Sequence, residues 1–348
     1  MGFGRYVARR TVYLVILIFV IIVFNFFLFQ VLPFIVSCPG ETFNRCVETL
    51  YVPPAPGGKA GTNLTLLIQH EDNLTLSTYG FYQPILVRFG LYVKAMLTFQ
   101  FGYNTHGVSG ISGSSVLSTI EERAPFTILL LGSSLIASFL IGIGLGVVAA
   151  AKRGRVLDVS SLAVLLFLNS LPVFFLGAML ELSQLALTGT AYSSFGSSTF
   201  LISGLAYDEQ VLRTMFLPFV TLTLAGLGGV FLTQRAVMID TVSEDYVMMA
   251  RAKGLPERSV LYKHAFRNAV LPIVTAFAIS LGFILSGAVI TETVFDWPGL
   301  GLAIFEGVVA VDFPLEQAMF FIITLMVLVC IFAADIIYGF LDPRVSLT

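Results

Sequence analysis

Residues 12 to 36 form an apolar run, interrupted by Asn25 and Gln30 and without a single charged side chain. A run of that length exceeds the roughly 20 residues a helix needs to cross a bilayer, where every backbone polar group must find its partner inside the helix. The chain has 348 residues, 57% hydrophobic and 11% charged, so its polar surface is too small to clothe a soluble globule. The fold class predicted is an all-α membrane protein. Six transmembrane helices are expected, at about 12–36, 126–151, 158–181, 213–234, 269–290 and 318–340. Pro172, Pro218 and Pro272 lie within these segments, where prolines bend helices. Runs such as Gly142-Ile-Gly144-Leu-Gly146 allow close helix approach.

Charge placement sets the topology. Arg5, Arg9, Arg10, Lys152, Arg153, Arg155, Arg235, Arg251, Lys253, Arg258, Lys263, Arg267 and Arg344 all fall on one side of a six-span layout, and segments 188–210 and 291–315 carry no Lys or Arg. The positive-inside rule then makes both termini cytoplasmic, in a multi-pass protein of the cell membrane. The first run is too long for a signal-peptide core and lacks a small-residue cleavage site, so it reads as a retained helix. The domain organisation expected is a first helix within 1–36, an enlarged extracytoplasmic loop over 37–115, and a transmembrane domain over 116–345 with a cytoplasmic loop at 235–268.

The outer loop holds Cys38 and Cys46, close enough in sequence for a disulfide, with two unpaired thiols as the other reading. Asn63 and Asn73 each begin an N-x-T sequon, a candidate glycosylation site in an external loop. Helical spacing of Ile85, Leu86, Phe89, Tyr92, Val93, Met96 and Leu97 predicts an amphipathic helix at the outer interface, with Arg88 and Lys94 off its apolar face. Asp335 and Glu181 are the intramembrane carboxylates, expected to snorkel or pair near the interfaces.

Enzymatic chemistry is not legible. No G-x-x-x-x-G-K-[ST] loop is present to cradle nucleotide phosphates, and His70, His106 and His264 sit on unrelated segments. Neither a metal site, a nucleic-acid partner nor a catalytic residue is expected.

The informative polar stretch is Asp245 to Asn268. Ser243 is an eligible N-cap, Glu244 and Asp245 would occupy a first turn, and Lys253 and Gly254 would end a short helix. Pro256 would open a second helix through Val260, Leu261 and His264. Val242, Tyr246, Met249 and Ala250 fall at helical spacing on the first of these, a small and apolar face suited to a protein groove; an ordinary basic inner loop fits the composition equally well.

The stretch Asp245-Tyr-Val-x-x-Ala-Arg-Ala-Lys-Gly-Leu, followed by Tyr262-x-His264-Ala-x-Arg267-Asn268-Ala-x-Leu271-Pro272, resembles the coupling loop of the B-type permease subunit of dipeptide and oligopeptide ATP-binding-cassette importers. Glu292-Thr-Val-Phe295-x-Trp-Pro298-Gly-Leu-Gly301, Asp312-x-Pro314 and the terminal Asp335, Tyr338 and Leu341-Asp-Pro-Arg344 extend the resemblance over about residues 84 to 345. Among the departures, the family's Pro-Gly-Asp-Pro after the first span is not seen, and Leu32-Pro33-Phe34 is followed instead by the enlarged outer loop.

The resemblance implies a type I importer permease fold and a chain that forms half of a translocation pathway. It also implies a second homologous permease subunit, two ATPase subunits that bind ATP and Mg, an extracytoplasmic substrate-binding protein, and no cofactor in this chain. Asp245, Tyr246, Ala250, Lys253 and Gly254 are the residues it assigns to ATPase docking. Oligosaccharide or nickel-chelate import by the same machinery, and a stand-alone secondary carrier, remain the alternatives.

Overall fold

The computed structural model describes residues 3–37, 75–104, 115–189, 209–282 and 289–341. Cys38, Cys46, Asn63 and Asn73 lie outside the described residues. Cys330, within the last helix, carries a free thiol.

Four helical stretches are long and apolar enough to cross a membrane: Gly4–Ile35, Val116–Ala151, Val211–Val242 and Phe313–Ala333. Two bent pairs bring the number to six if each pair is one span. The elements in order are α1 (Phe3–Phe26), a π-helical turn (Phe27–Val31), α2 (Leu32–Ser37), α3 (Ile85–Leu97), α4 (Val116–Ala151), α5 (Val156–Ser170), α6 (Val173–Thr188) and α7 (Glu209–Val242). There follow α8 (Asp245–Ala252), α9 (Glu257–Ser259), a second π-helical turn (Val260–Ala265), α10 (Phe266–Ala269), α11 (Leu271–Gly282), α12 (Val289–Val294), α13 (Leu300–Ala310) and α14 (Phe313–Leu341). Helices α4 and α7 outrun the apolar windows because each continues past its apolar stretch through charged turns, Glu121 to Arg123 in one and Arg235 to Asp240 in the other.

The third expected span is broken. Leu171 is extended (φ −78, ψ 134), as a residue before proline prefers, and Pro172 has no N–H to continue the helix. The axes of α5 and α6 consequently meet at 105°.

Helix α1 runs antiparallel to α14, fastened at both ends. Near one end, Arg10 pairs with Asp335 at 3.0 Å and the Tyr6 hydroxyl donates to the Asp335 carbonyl. Near the other, Asn25 Nδ2 donates to the Gln317 carbonyl and Gln30 Nε2 to Gln317 Oε1, each at 3.0 Å. The intervening π-helical turn adds one residue to the helical repeat, which brings Asn25 and Gln30 onto one face. Asp335 is therefore partnered within the bundle.

Helix α3 is rotated from its expected orientation. Its buried face is Arg88, Tyr92, Ala95 and Met96, while Leu86 is 83% exposed. The cause is a site made for the guanidinium: Arg88 Nη2 donates to the Gln30 carbonyl at 2.9 Å, and its Cζ lies 5.5 to 5.8 Å from the ring centroids of Phe26, Phe34 and Phe81. Ring faces attract a cation strongly once water is excluded. Around this site α1, α3, the start of α4, α13 and α14 share the largest apolar cluster, with Tyr79, Phe81, Phe101 and Phe321 at its centre.

Helices α4 and α7 form the tightest pair. A Cβ at Gly142 would meet Val230 at 2.8 Å, and one at Gly146 would meet the Gln234 side chain at 2.8 Å. Absent side chains let the backbones close, which supplies the van der Waals contact that drives association in lipid.

Candidate functional site

Three features organise the functional regions: a short helix at the end of the bundle where α4 and α7 terminate, an uncharged cavity in the middle, and a buried carboxylate at the opposite end.

The short helix is α8. Helix α7 continues to Val242, so the helix boundary falls later than Ser243 predicts. Ser243 Oγ donates back to the Asp240 carbonyl at 2.6 Å, and Glu244, extended at φ −68 and ψ 144, is the N-cap through its backbone alone. Its carbonyl accepts from the Val247 and Met248 N–H groups. Gly254 terminates the segment with φ +75, a left-handed conformation that glycine adopts without strain, and its N–H donates to the Arg251 carbonyl at 2.9 Å. Arg251 Nη2 bonds Glu257 Oε1 at 2.7 Å, and Asn268 Nδ2 donates to the Tyr246 hydroxyl at 2.8 Å. Those two bonds hold α8 against the segment that follows it.

The later start divides the expected face. Val242 belongs to α7. Ala250, expected among the exposed docking residues, is buried with Val247 in a cluster with Met238, Val260, Leu261 and Ala265, because these small and branched side chains are what α8 packs with onto its own chain. The outward side presents Tyr246, Met248 and Met249, at 40, 51 and 61% exposure, with Asp245 and Lys253 exposed beside them. Two methionines and a tyrosine make an adaptable apolar contact surface.

The cavity, about 450 Å³, lies between α4, α7 and α11. Ser134, Ser138, Thr233 and Ser280 contribute hydroxyls to it, Gly226 and Gly229 leave backbone exposed, and the remaining lining is aliphatic or aromatic. No charged side chain lines it. Such a wall can pass polar solutes without committing to one sign of charge.

At the far end Glu292 is fully buried. Its Oε1 accepts from Thr127 Oγ1 at 2.9 Å, and its Oε2 accepts from the Gly301 and Leu302 N–H groups at 2.6 and 3.1 Å. Thr127 Oγ1 in turn accepts from the Leu300 N–H at 2.7 Å. The three N–H groups that open α13 thus find side-chain acceptors, and the carboxylate sits at the positive end of the helix dipole. Trp297 Nε1 donates to the Phe126 carbonyl at 3.2 Å, tying the same hairpin to α4. Asp312 caps α14 likewise, its Oδ1 accepting from the Leu315 N–H at 3.2 Å. Midway along α13, burial pushes the Glu306 carboxyl above its usual range, an effect opposed by Arg123 at 3.2 Å. Among the described residues, no group of three or more His, Cys, Asp or Glu side chains is arranged to hold a metal.

The sequence matches the family described as "Binding-protein-dependent transport system inner membrane component" over residues 142–347. Among relatives, it is 34% identical over 236 residues to the Di/tripeptide transport system permease protein DppB of Pseudomonas aeruginosa, covering 64% of this chain and 70% of that protein. It is 31% identical over 261 residues to the Dipeptide transport system permease protein DppB of Escherichia coli K12, covering 69% and 77%. With the protein of that name from Lactococcus lactis the identity is 28% over 347 residues, 99% of both chains. The long apolar helices, the bent pairs and these matches together place the chain in the family of binding-protein-dependent transport system inner membrane components, as a multi-pass permease subunit of the B type.

Proposed function

We propose that this permease subunit serves an ATP-driven importer of di- or oligopeptides, and that α8 is the element through which ATPase subunits act on it. The observation that carries the reading is the outward face of α8, where Tyr246, Met248 and Met249 stand exposed on a helix otherwise anchored to its own chain. The peptide substrate follows from the relatives, named for dipeptide or di/tripeptide transport.

In this reading a second, homologous permease completes the pathway, two ATPase subunits bind and hydrolyse ATP with Mg, and an external binding protein delivers the peptide. A cytoplasmic place for α8 and both termini is supported by the Lys and Arg distribution. ATP-driven closure of the ATPase pair draws the two coupling helices together and tilts the bundle outward-open, and hydrolysis resets it. Asp245, Tyr246, Lys253 and Gly254 dock or shape the docking surface, and Ala250 supports it from beneath. The uncharged cavity suits peptides, whose side chains vary in charge while the backbone does not.

The test is Met249→Glu combined with Tyr246→Glu in the assembled transporter. A carboxylate forced into an apolar groove costs several kcal/mol unless paired, so ATPase recovery with the purified permease and ATP-dependent uptake of a labelled dipeptide should each fall by about tenfold or more. Uptake at the unmodified rate overturns the assignment of α8.

A further inference from the structure

We propose that Asp158 and Arg235 form the joint that makes α5 follow the coupling helix, a positioning role for two residues that contact neither substrate nor ATPase. The proposal rests on the permease reading above.

Arg235 lies on α7 about two helical turns before that helix ends and α8 begins. Its guanidinium grips Asp158 with both prongs: Nε to Oδ1 at 2.6 Å and Nη2 to Oδ2 at 2.8 Å. The Gly154 N–H adds a third bond to Oδ2 at 2.9 Å, from a residue held at φ +76. Asp158 is 1% exposed and stands in the first turn of α5, where a helix end favours negative charge. Both carboxylate oxygens are occupied, in a geometry whose planar two-bond fork resists rotation as well as separation.

Farther along α5 the hold is apolar: Leu165, with Leu162 and Leu168 beside it, packs with Ala149, Leu227 and Phe231 of α4 and α7. Asp158 and Leu165 are its buried residues, while Val156, Leu157, Val159, Val164, Leu166 and Phe167 are exposed. At the same level of α7, Gly146 brings α4 so close that a Cβ there would meet the Arg235 backbone nitrogen at 3.1 Å. The ends of α4, α5 and α7 next to α8 are therefore one body, with α5 joined to it by the ion pair at this end and by apolar packing beyond. Beyond the 105° bend, α6 passes its Gly177 within van der Waals reach of Phe295, beside the hairpin that Glu292 secures. A displacement of α8 can thus travel along α7, across Asp158, and through α5 and α6 toward the Glu292 hairpin at the far end of the bundle. Without the pair only non-directional apolar packing, which resists sliding less than a two-bond fork, would couple α5 to α7 at this end.

The experiment uses the full complex in proteoliposomes, with dipeptide uptake and ATP hydrolysis measured together. Asp158→Asn keeps an acceptor for the Gly154 N–H, and Arg235→Lys keeps the charge but loses the fork. We expect the first to lower peptide moved per ATP by about tenfold and the second by about threefold, with hydrolysis by the assembled complex largely retained. The exchanged pair, Asp158→Arg with Arg235→Asp, should recover part of the ratio lost by Asp158→Arg alone. An unchanged ratio in both single variants overturns the proposal. So does a fall in uptake and hydrolysis together, in proportion to the amount of assembled complex, since that marks a merely structural brace. Failure of the unmodified complex to take up dipeptide with ATP would instead overturn the permease reading on which this rests.

Discussion

Replacing Glu292 with alanine should leave the transporter unable to survive purification intact, the largest effect expected of any single substitution of a polar residue described above. The carboxylate is fully buried and accepts from Thr127, Gly301 and Leu302. Its removal strands two backbone N–H groups and a hydroxyl where water does not reach. Each orphaned group costs about 1–3 kcal/mol, so a total of about 3–5 kcal/mol is expected, comparable to the whole stability margin of many domains. Glu292→Gln should cost less, about 2 kcal/mol, because one oxygen still accepts while the new NH₂ group faces donors. Gly301→Ala should phenocopy the alanine variant by a separate route, because its Cβ would lie 2.7 Å from the Val289 Cα, which is backbone and cannot rotate away. Glu306, whose side chain is 30% exposed, should by contrast tolerate Gln at a smaller cost than Glu292→Ala, because the amide oxygen can still accept from the buried Arg123. The yield of intact complex after purification, and thermal unfolding of whatever survives it, check all four. A Glu292→Ala protein that melts within a degree or two of the parent would show that the hairpin is not held by this residue.

Why so much of the molecule could be read in advance, and these residues could not, is a matter of what each interaction depends on. Spans depend on local hydropathy, and the break at Pro172 on local backbone chemistry, so both are visible within a few residues. The α8 segment showed itself as a polar interval ended by glycine. Its inner face was misassigned because spacing alone cannot say where α7 stops: Val242 and Tyr246 share a helical phase only if they share a helix. Arg88 was assigned outward on the rule that charges avoid apolar faces, and three aromatic rings contributed by α1, α2 and the segment preceding α3 reverse it. The Asp158 and Arg235 partnership spans residues remote in sequence and leaves one trace, an acidic side chain in the first turn of an otherwise uncharged helix. Glu292 stood in a quoted motif, yet its purpose emerges only with the N-terminus of α13 folded back upon it. The glycines at 299 and 301 were the available hint, since both pack against its carboxylate.

Glycines at 228 and 229 adjoin in sequence and should respond to the same substitution in opposite ways. Gly228 faces α5: a Cβ there would meet Asn169 Cβ at 2.7 Å and the Leu165 carbonyl at 2.9 Å. Valine at this position must drive α7 and α5 apart next to the bend, and backbone on the far side cannot yield, so a loss of about 2–3 kcal/mol and a marked fall in assembled complex are expected. Gly229 faces the cavity and a Cβ there meets nothing within 4 Å. Gly229→Val should therefore assemble with near-parental thermal stability, helped slightly by the loss of glycine's unfolded-state freedom. Its cost should appear in transport instead, because the isopropyl group projects into a space of about 450 Å³ that substrate is proposed to cross. Uptake of a bulky dipeptide such as Phe-Phe should drop several-fold more than that of Gly-Gly, a ratio that a general folding defect would leave unchanged. Equal losses for the two peptides would show that the wall at Gly229 does not border the route, and an intact complex bearing Gly228→Val would show that α5 and α7 separate more freely than their packing implies.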